Sequence, residues 1–223
     1  MKKKRLTLIH TSPVMIPVFS ELCRELLAGI EAVHMVDESL LKDILKNGCL
    51  TKPTARRVIQ HILSADQAGA DAILVTCSSI GKAAEIGREL AESLVMRVDE
   101  PMADRAIKLG RRIGVIATIP STLKPTAELL CRQGSEGLEV FTKLCEGAFE
   151  AVISGDPATH DKIVAEGILE LAGRVDVIVL AQASMARAAD ALPSSKATVP
   201  ILSSPRPAIE YLATVLSAIE KIV

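Results

Sequence analysis

Short runs of consecutive apolar residues recur along this chain, and most are followed by a longer segment whose apolar positions return every third or fourth residue. An unbroken apolar run bounded by turn residues reads as a strand buried on both faces, and the longer spacing as a helix with one face in the core. The first half predicts strands at Leu6–His10, Glu31–Val36, Ala72–Val75 and Leu94–Val98. Helices are expected from the Thr11-Ser12-Pro13 turn to about Ala28, from a cap at Thr54 to Ala68, after Cys77 through Leu90, and from Asp99-Glu100-Pro101 to Gly110. Asp37 to Pro53 is less regular, carries an Asn47-Gly48 turn signal, and reads as a flap.

The pattern then begins again. Strands are expected at Ile113–Ala117, Leu138–Leu144, Asp176–Leu180 and Val199–Leu202. Helices are expected at Ser121–Gln133, at Pro157–Ala172 behind an Asp156 cap, near Ser184–Ala189, and from Pro205 or Pro207 onward. Strands alternating with helices specify α/β architecture with parallel sheets and right-handed crossovers. The restart extends to sequence. DAILVTCSSI, starting at Asp71, aligns without gaps on DVIVLAQASM, starting at Asp176. LTLIHT from Leu6 matches IGVIAT from Ile113, and Glu100-Pro101 matches Ser204-Pro205. Three anchors in the same order indicate an internal duplication. The expected domains are residues 1–98 with 208–223, and residues 99–207, two similar lobes facing each other across a cleft.

Composition narrows the classes. Aromatic residues make up 2% of the 223 and Trp is absent, so the core must be aliphatic. A formal charge of -1 argues against a nucleic-acid surface. Lys2-Lys3-Lys4-Arg5 directly precedes the first strand and reads as a solvated chain start. No apolar run reaches the length of a membrane span and no signal-peptide pattern precedes the first strand, so a cytoplasmic protein without membrane contact is expected. The five cysteines are scattered without a CxxC pair, which suggests reduced thiols and no zinc site. Without HExxH, P-loop or GxGxxG, no metal, nucleotide or other cofactor is expected.

The candidate chemistry centres on Asp71 to Gly81. Cys77 follows a buried strand and opens a helix, where α/β sheets bind ligands, where N–H groups hold anions and where a thiol pKa is lowered. The competing reading is a core thiol. By the duplication, Gln182 stands opposite Cys77. Thr11, Ser12, Ser78, Ser79, Thr118, Ser121, Thr122, Ala183 and Ser184 add hydroxyl and N–H donors at related turns, suited to a small carboxylate, although each Ser or Thr alone would read as a helix cap. His10 ends the first strand and is a candidate acid or base, against a packing role. Asp99 and Glu100 read as a helix cap, His34 and His61 as structural, and His160 as exposed. Cys23, Cys131 and Cys145 fit apolar faces, Cys49 fits the flap, and Arg187 or Arg206 could approach a second charged group.

The VTCSS turn, the DEPM after the fourth strand and the IGVIATIPSTL segment, in this order, resemble the aspartate/glutamate/hydantoin racemase superfamily, which also includes maleate isomerase and arylmalonate decarboxylase. The resemblance implies two flavodoxin-like lobes related by a pseudo-twofold, a cofactor-independent reaction beside a carboxylate or carbonyl of a small substrate, and a dimer or larger homo-oligomer. It also implies two thiols on opposite substrate faces. Cys77 fills the first position, while Gln182 stands at the second and cannot replace a thiol as acid or base. His10 stands where family members often place Asp or Asn. A one-thiol decarboxylase or cis–trans isomerase, or a carboxylate binder without catalysis, is the alternative to racemisation.

Overall fold

The computed structural model of the protein describes residues 3–193 and 198–219. Lys2 of the basic run and residues 220–223 of the expected first lobe lie outside the described residues. The chain divides into two compact units, one ending at Val98 and resuming at Pro205, the other spanning Asp99–Ser204.

The first unit runs β1 (Arg5–His10), α1 (Ile16–Leu26), β2 (Glu31–Val36), α2 (Glu38–Asn47), α3 (Lys52–Gln67), β3 (Ala72–Val75), α4 (Gly81–Arg88) and β4 (Leu94–Arg97). The second runs α5 (Glu100–Leu109), β5 (Arg112–Ala117), α6 (Pro120–Gln133), β6 (Glu139–Leu144), α7 (Ala148–Ile153), α8 (Pro157–Ala172), β7 (Val177–Leu180), α9 (Ala186–Asp190) and β8 (Ile201–Ser203). The last helix, α10 (Pro205–Ile219), then returns to the first unit. Each unit holds a four-stranded parallel sheet, ordered β2-β1-β3-β4 in the first and β6-β5-β7-β8 in the second.

The all-apolar runs became the central strands because both faces of each sheet are covered. Every residue of β3 and β7 is buried. On one face of the first sheet Leu6, Leu8 and Leu74 pack with Phe19 of α1 and with Ile209 and Leu212 of α10. On the other, Ile9, Ile73 and Val75 pack with Val58, Ile62 and Ile80. Each such Leu or Ile contributes about 1.5–3 kcal/mol when fully buried.

The duplication is legible atom by atom. Leu6 pairs with Ala72 in one sheet as Ile113 pairs with Val177 in the other. Asp71, just before β3, accepts the backbone N–H of Arg5 at 2.7 Å. Asp176, just before β7, accepts those of Arg111 and Arg112 at 3.0 and 2.9 Å, and the Arg112 guanidinium pulls its carboxyl down to about 2. The aligned aspartates thus tie the start of one strand to its neighbour in both units.

Three local expectations are corrected and one element is added. The expected flap contains the helix α2: Asp37 accepts the Ser39 N–H as its cap, Leu40 and Ile44 are buried, and Gly48 ends it at φ +70°. The cap of α3 is Thr51 and not Thr54, because Pro53 needs no N–H partner in the first turn, whereas Thr51 Oγ1 accepts the Thr54 N–H. The stretch after β6 forms α7, which the sequence reading did not include. The final helix begins at Pro205, so the chain passes back to the first unit after Ser204 and not after residue 207.

Candidate active site

In a sheet ordered β2-β1-β3-β4, the connections leaving β1 and β3 diverge to opposite sides, and this opens a crevice at their carboxyl ends. Thr11 and Ser12 leave β1 at that point, while Cys77, Ser78 and Ser79 leave β3. The second sheet repeats the arrangement, with Thr118, Ser121 and Thr122 after β5 and Gln182, Ala183 and Ser184 after β7. Within each unit the structure therefore brings together the donors that the sequence placed at related turns.

Cys77 is half-buried and extended (φ −126°, ψ 119°), and it opens a single 3-10 turn, Ser78–Ile80, that leads into α4. Its carbonyl accepts the Ile80 N–H at 3.2 Å. It packs at the margin of the Ile9–Val75–Ile80 core and is not enclosed by it. Cys23 and Cys145, by contrast, are buried, and burial pushes each thiol up to about 11. Cys49 is exposed as expected, but Cys131 is exposed too, on the outer face of α6 and not in an apolar interior.

A charged group lies under the Cys77 turn that the sequence reading did not single out. Arg97, at the end of β4, is 2% exposed, and its guanidinium lies against Gly81, the first residue of α4. A Cβ at Gly81 would stand 2.4 Å from Arg97 Nε and Cζ, so any larger residue there would require the guanidinium to shift. Glu85, one turn further along α4, accepts from Arg97 Nη1. The available signal was a lone arginine closing an apolar strand opposite a glycine at a helix start.

Of the two readings of His10, the geometry favours the packing one. It is fully buried and both ring nitrogens have partners. Nε2 lies 2.9 Å from His34 Nδ1, and Nδ1 lies 2.9 Å from Thr76 Oγ1. Burial, reinforced by the neighbouring His34, lowers its pKa to about 4. Burial lowers His34 as well. The pleat also separates His10 from the thiol: His10 packs with Phe19 on the α1 face, while Cys77 packs with the opposite cluster. With no free nitrogen facing a ligand, His10 is not placed to exchange a substrate proton.

In the second unit Gln182 Oε1 accepts from Thr118 N–H at 2.7 Å and from Thr118 Oγ1 at 3.0 Å. Ser121 Oγ is buried without a hydrogen-bond partner, Thr122 is buried, and Ser184 is exposed. Arg187 forms a two-pronged pair with Asp161, and Arg206 with Glu25. His61 binds Asp37 at 2.9 Å. Asp99 is buried at the cap position of α5 but makes no capping bond with its side chain. His160 is fully buried and not exposed as expected, with Nδ1 on Asp161 and Nε2 unpaired.

The sequence model of the Asp/Glu/Hydantoin racemase family matches residues 9–212. The chain belongs to this family. It is thus a racemase-family enzyme. No curated protein matches it in sequence. Among solved structures it is similar to the glutamate racemase from Francisella tularensis in complex with D-glutamate, with TM-score 0.77 and 14% identity over 99% of this chain and 83% of that one. It is also similar to the allantoin racemase from Klebsiella pneumoniae, with TM-score 0.72 and 19% identity over 97% and 89% of the two chains. The Picrophilus torridus aspartate racemase follows at TM-score 0.69 and 14% identity over 95% and 94%. At these identities the three show the fold, and with it the parallel sheets whose carboxyl ends carry the turns described above. Among the described residues no helix is long and apolar enough to cross a membrane.

Proposed function

We propose that this racemase-family enzyme acts without a cofactor at the carbon next to a carboxylate or carbonyl of a small substrate, an amino acid or hydantoin type, with Cys77 as the group that moves the proton. The observation that carries the reading is the position of Cys77: half-buried, at the crevice between the carboxyl ends of β1 and β3, and at the start of a helical turn. A thiolate there removes an α-proton, and nearby hydroxyl and N–H donors such as those of Thr11 and Ser12 stabilise the resulting enediolate. Ser12 is available for this, because its side chain makes no capping bond.

A second reading has specific support. Gln182 occupies in the second repeat the place that Cys77 occupies in the first, and its oxygen is committed to Thr118. A primary amide neither gives nor takes a proton near neutral pH. One-thiol chemistry, in which Cys77 protonates the enediolate left by decarboxylation or adds to a cis double bond, needs no second acid.

Incubation of amino acids, hydantoins, malonates and maleate in deuterium oxide, with wild type beside Cys77→Ser, tests both readings. Loss of optical purity with Cys77-dependent deuterium uptake is the expected result for racemisation. Carbon dioxide release or geometric conversion without inversion assigns the one-thiol reading. Binding of a carboxylate with identical behaviour of the two proteins would remove Cys77 from the chemistry and leave a binding protein.

A further inference from the structure

Four polar side chains from four different segments of the first unit form one continuous hydrogen-bonded chain. Ser20 Oγ on α1 lies 3.0 Å from His34 Nε2, and His34 Nδ1 on β2 lies 2.9 Å from His10 Nε2. His10 Nδ1 at the end of β1 lies 2.9 Å from Thr76 Oγ1, and Thr76 Oγ1 lies 3.0 Å from the carbonyl of Ile9. Thr76 is the residue between the end of β3 and Cys77.

The last acceptor fixes the direction of the bonds at Thr76, and for neutral histidines the rest follow. A carbonyl oxygen cannot donate, so the single Thr76 hydroxyl proton goes to Ile9. Thr76 Oγ1 therefore accepts from His10 Nδ1–H. The remaining nitrogen of a neutral His10, Nε2, then accepts from His34 Nδ1–H, and His34 Nε2 accepts from the Ser20 hydroxyl. With both histidines neutral, this is the one proton order in which each contact joins a donor to an acceptor, and both rings are then protonated on Nδ1.

We infer that this chain positions the Cys77 turn, with His10 and His34 as positioning residues that hold the Thr76 hydroxyl against β1. The backbone N–H and the hydroxyl of Thr76 both bind the Ile9 carbonyl, each at 3.0 Å, one step beyond the last ladder pair, Ile9 with Val75. Thr76 is thereby clamped on one side by the β1 backbone and on the other by the imidazole, and Cys77 leaves the sheet from a fixed point. The inference rests on the reading of Cys77 as the reacting thiol, and it gives the buried His10 a role that needs no contact with substrate.

The test needs no substrate, so its failure is separable from failure of the proposed activity. Long-range proton–nitrogen spectra of histidine-labelled wild type read the tautomers directly, and the expected pattern is Nδ1–H for both His10 and His34. Iodoacetamide alkylation of Cys77 is then followed by intact mass in a background carrying Cys49→Ser and Cys131→Ser, which removes the two exposed thiols. Thr76→Val keeps the shape and removes the hydroxyl, and should change the alkylation rate by up to about tenfold while disturbing the His10 signal. Thr76→Ser, which keeps the hydroxyl, should restore both readouts. Nε2–H tautomers in wild type would overturn the inference, as would a Thr76→Val protein alkylated at the wild-type rate or a Thr76→Ser protein that behaves like Thr76→Val.

Discussion

Gln182 Oε1 sits 2.7 Å from the backbone nitrogen of Thr118, so an amide side chain of the second unit occupies a donor that an anion would otherwise use. In the first unit the equivalent residue is Cys77, and Thr11 stands where Thr118 does. The two repeats have kept the same strand geometry while their turns have become chemically unlike.

Gln182→Cys should therefore restore a titratable group to the second turn and release the Thr118 N–H. On a substrate that the wild type processes through Cys77, stereoinversion is expected to rise by about a hundredfold or more, the ordinary scale of a placed acid or base. Chiral chromatography of both enantiomers in deuterium oxide measures it. An unchanged ratio of inversion to other products would dissociate Gln182 from the course of the reaction.

Gly81→Ala tests the buried guanidinium under the Cys77 turn. The new methyl would overlap Arg97 Nε and Cζ at 2.4 Å, and Arg97 is too enclosed to swing clear. A loss of about 1–3 kcal/mol in urea unfolding is expected, the usual cost of overpacking. Wild-type stability in this variant would mean that Arg97 yields easily.

The histidine pair gives the fold a defined acid sensitivity. The folded-state pKa of His10 is lowered to about 4, below the ordinary 6.5, so below that value the unfolded chain takes up a proton that the folded chain refuses. The His10 contribution to stability is complete above about pH 6.5 and is lost as the pH drops towards 4, by an amount of order 3 kcal/mol. His34 shifts in the same direction. Denaturant unfolding across this range, wild type beside His10→Gln, should show a shallower slope in the variant. Equal slopes would contradict the assignment.

Asp37 joins several elements at once. It caps α2 through Ser39, pairs with Arg57 and accepts from His61, and together these hold its carboxyl well below the ordinary range. Asp37→Ala should cost about 1–2 kcal/mol, mostly as a lost cap, and should speed hydrogen exchange in α2 before it affects β3. A uniform change across both elements would point to global loosening instead.

Much of this fold could be read from local pattern. The AILV and VIVL runs could only be central strands, and the aligned Asp71 and Asp176 announced a duplication that their shared bonds to the neighbouring strand now explain. What local pattern does not carry is partnership at a distance. His10 stayed open between an acid or base and a packing role because its partners, His34 and Thr76, lie 24 and 66 residues away. His160 looked exposed near a helix start, yet the register of α8 turns it inward. Residues 37–53 looked irregular because Asn47-Gly48 reads as a free turn until Asp37 is recognised as the cap of a helix that Gly48 ends. The placement of Cys77 and its serines after β3 was legible because a strand end opening a helix leaves a trace within a few consecutive residues.

The return of α10 to the first unit has a consequence for biosynthesis. The apolar face formed by Leu6, Leu8 and Phe19 is closed by Ala208, Ile209, Leu212 and Leu216, almost the whole chain later. The second unit is continuous in sequence and can finish its core as it leaves the ribosome, whereas the first, though made earlier, waits for the last helix. A chain stopped before Pro205 should keep slow hydrogen exchange in β5 and β7 and lose it in β1. Every nascent copy thus carries an uncovered aliphatic surface until α10 emerges.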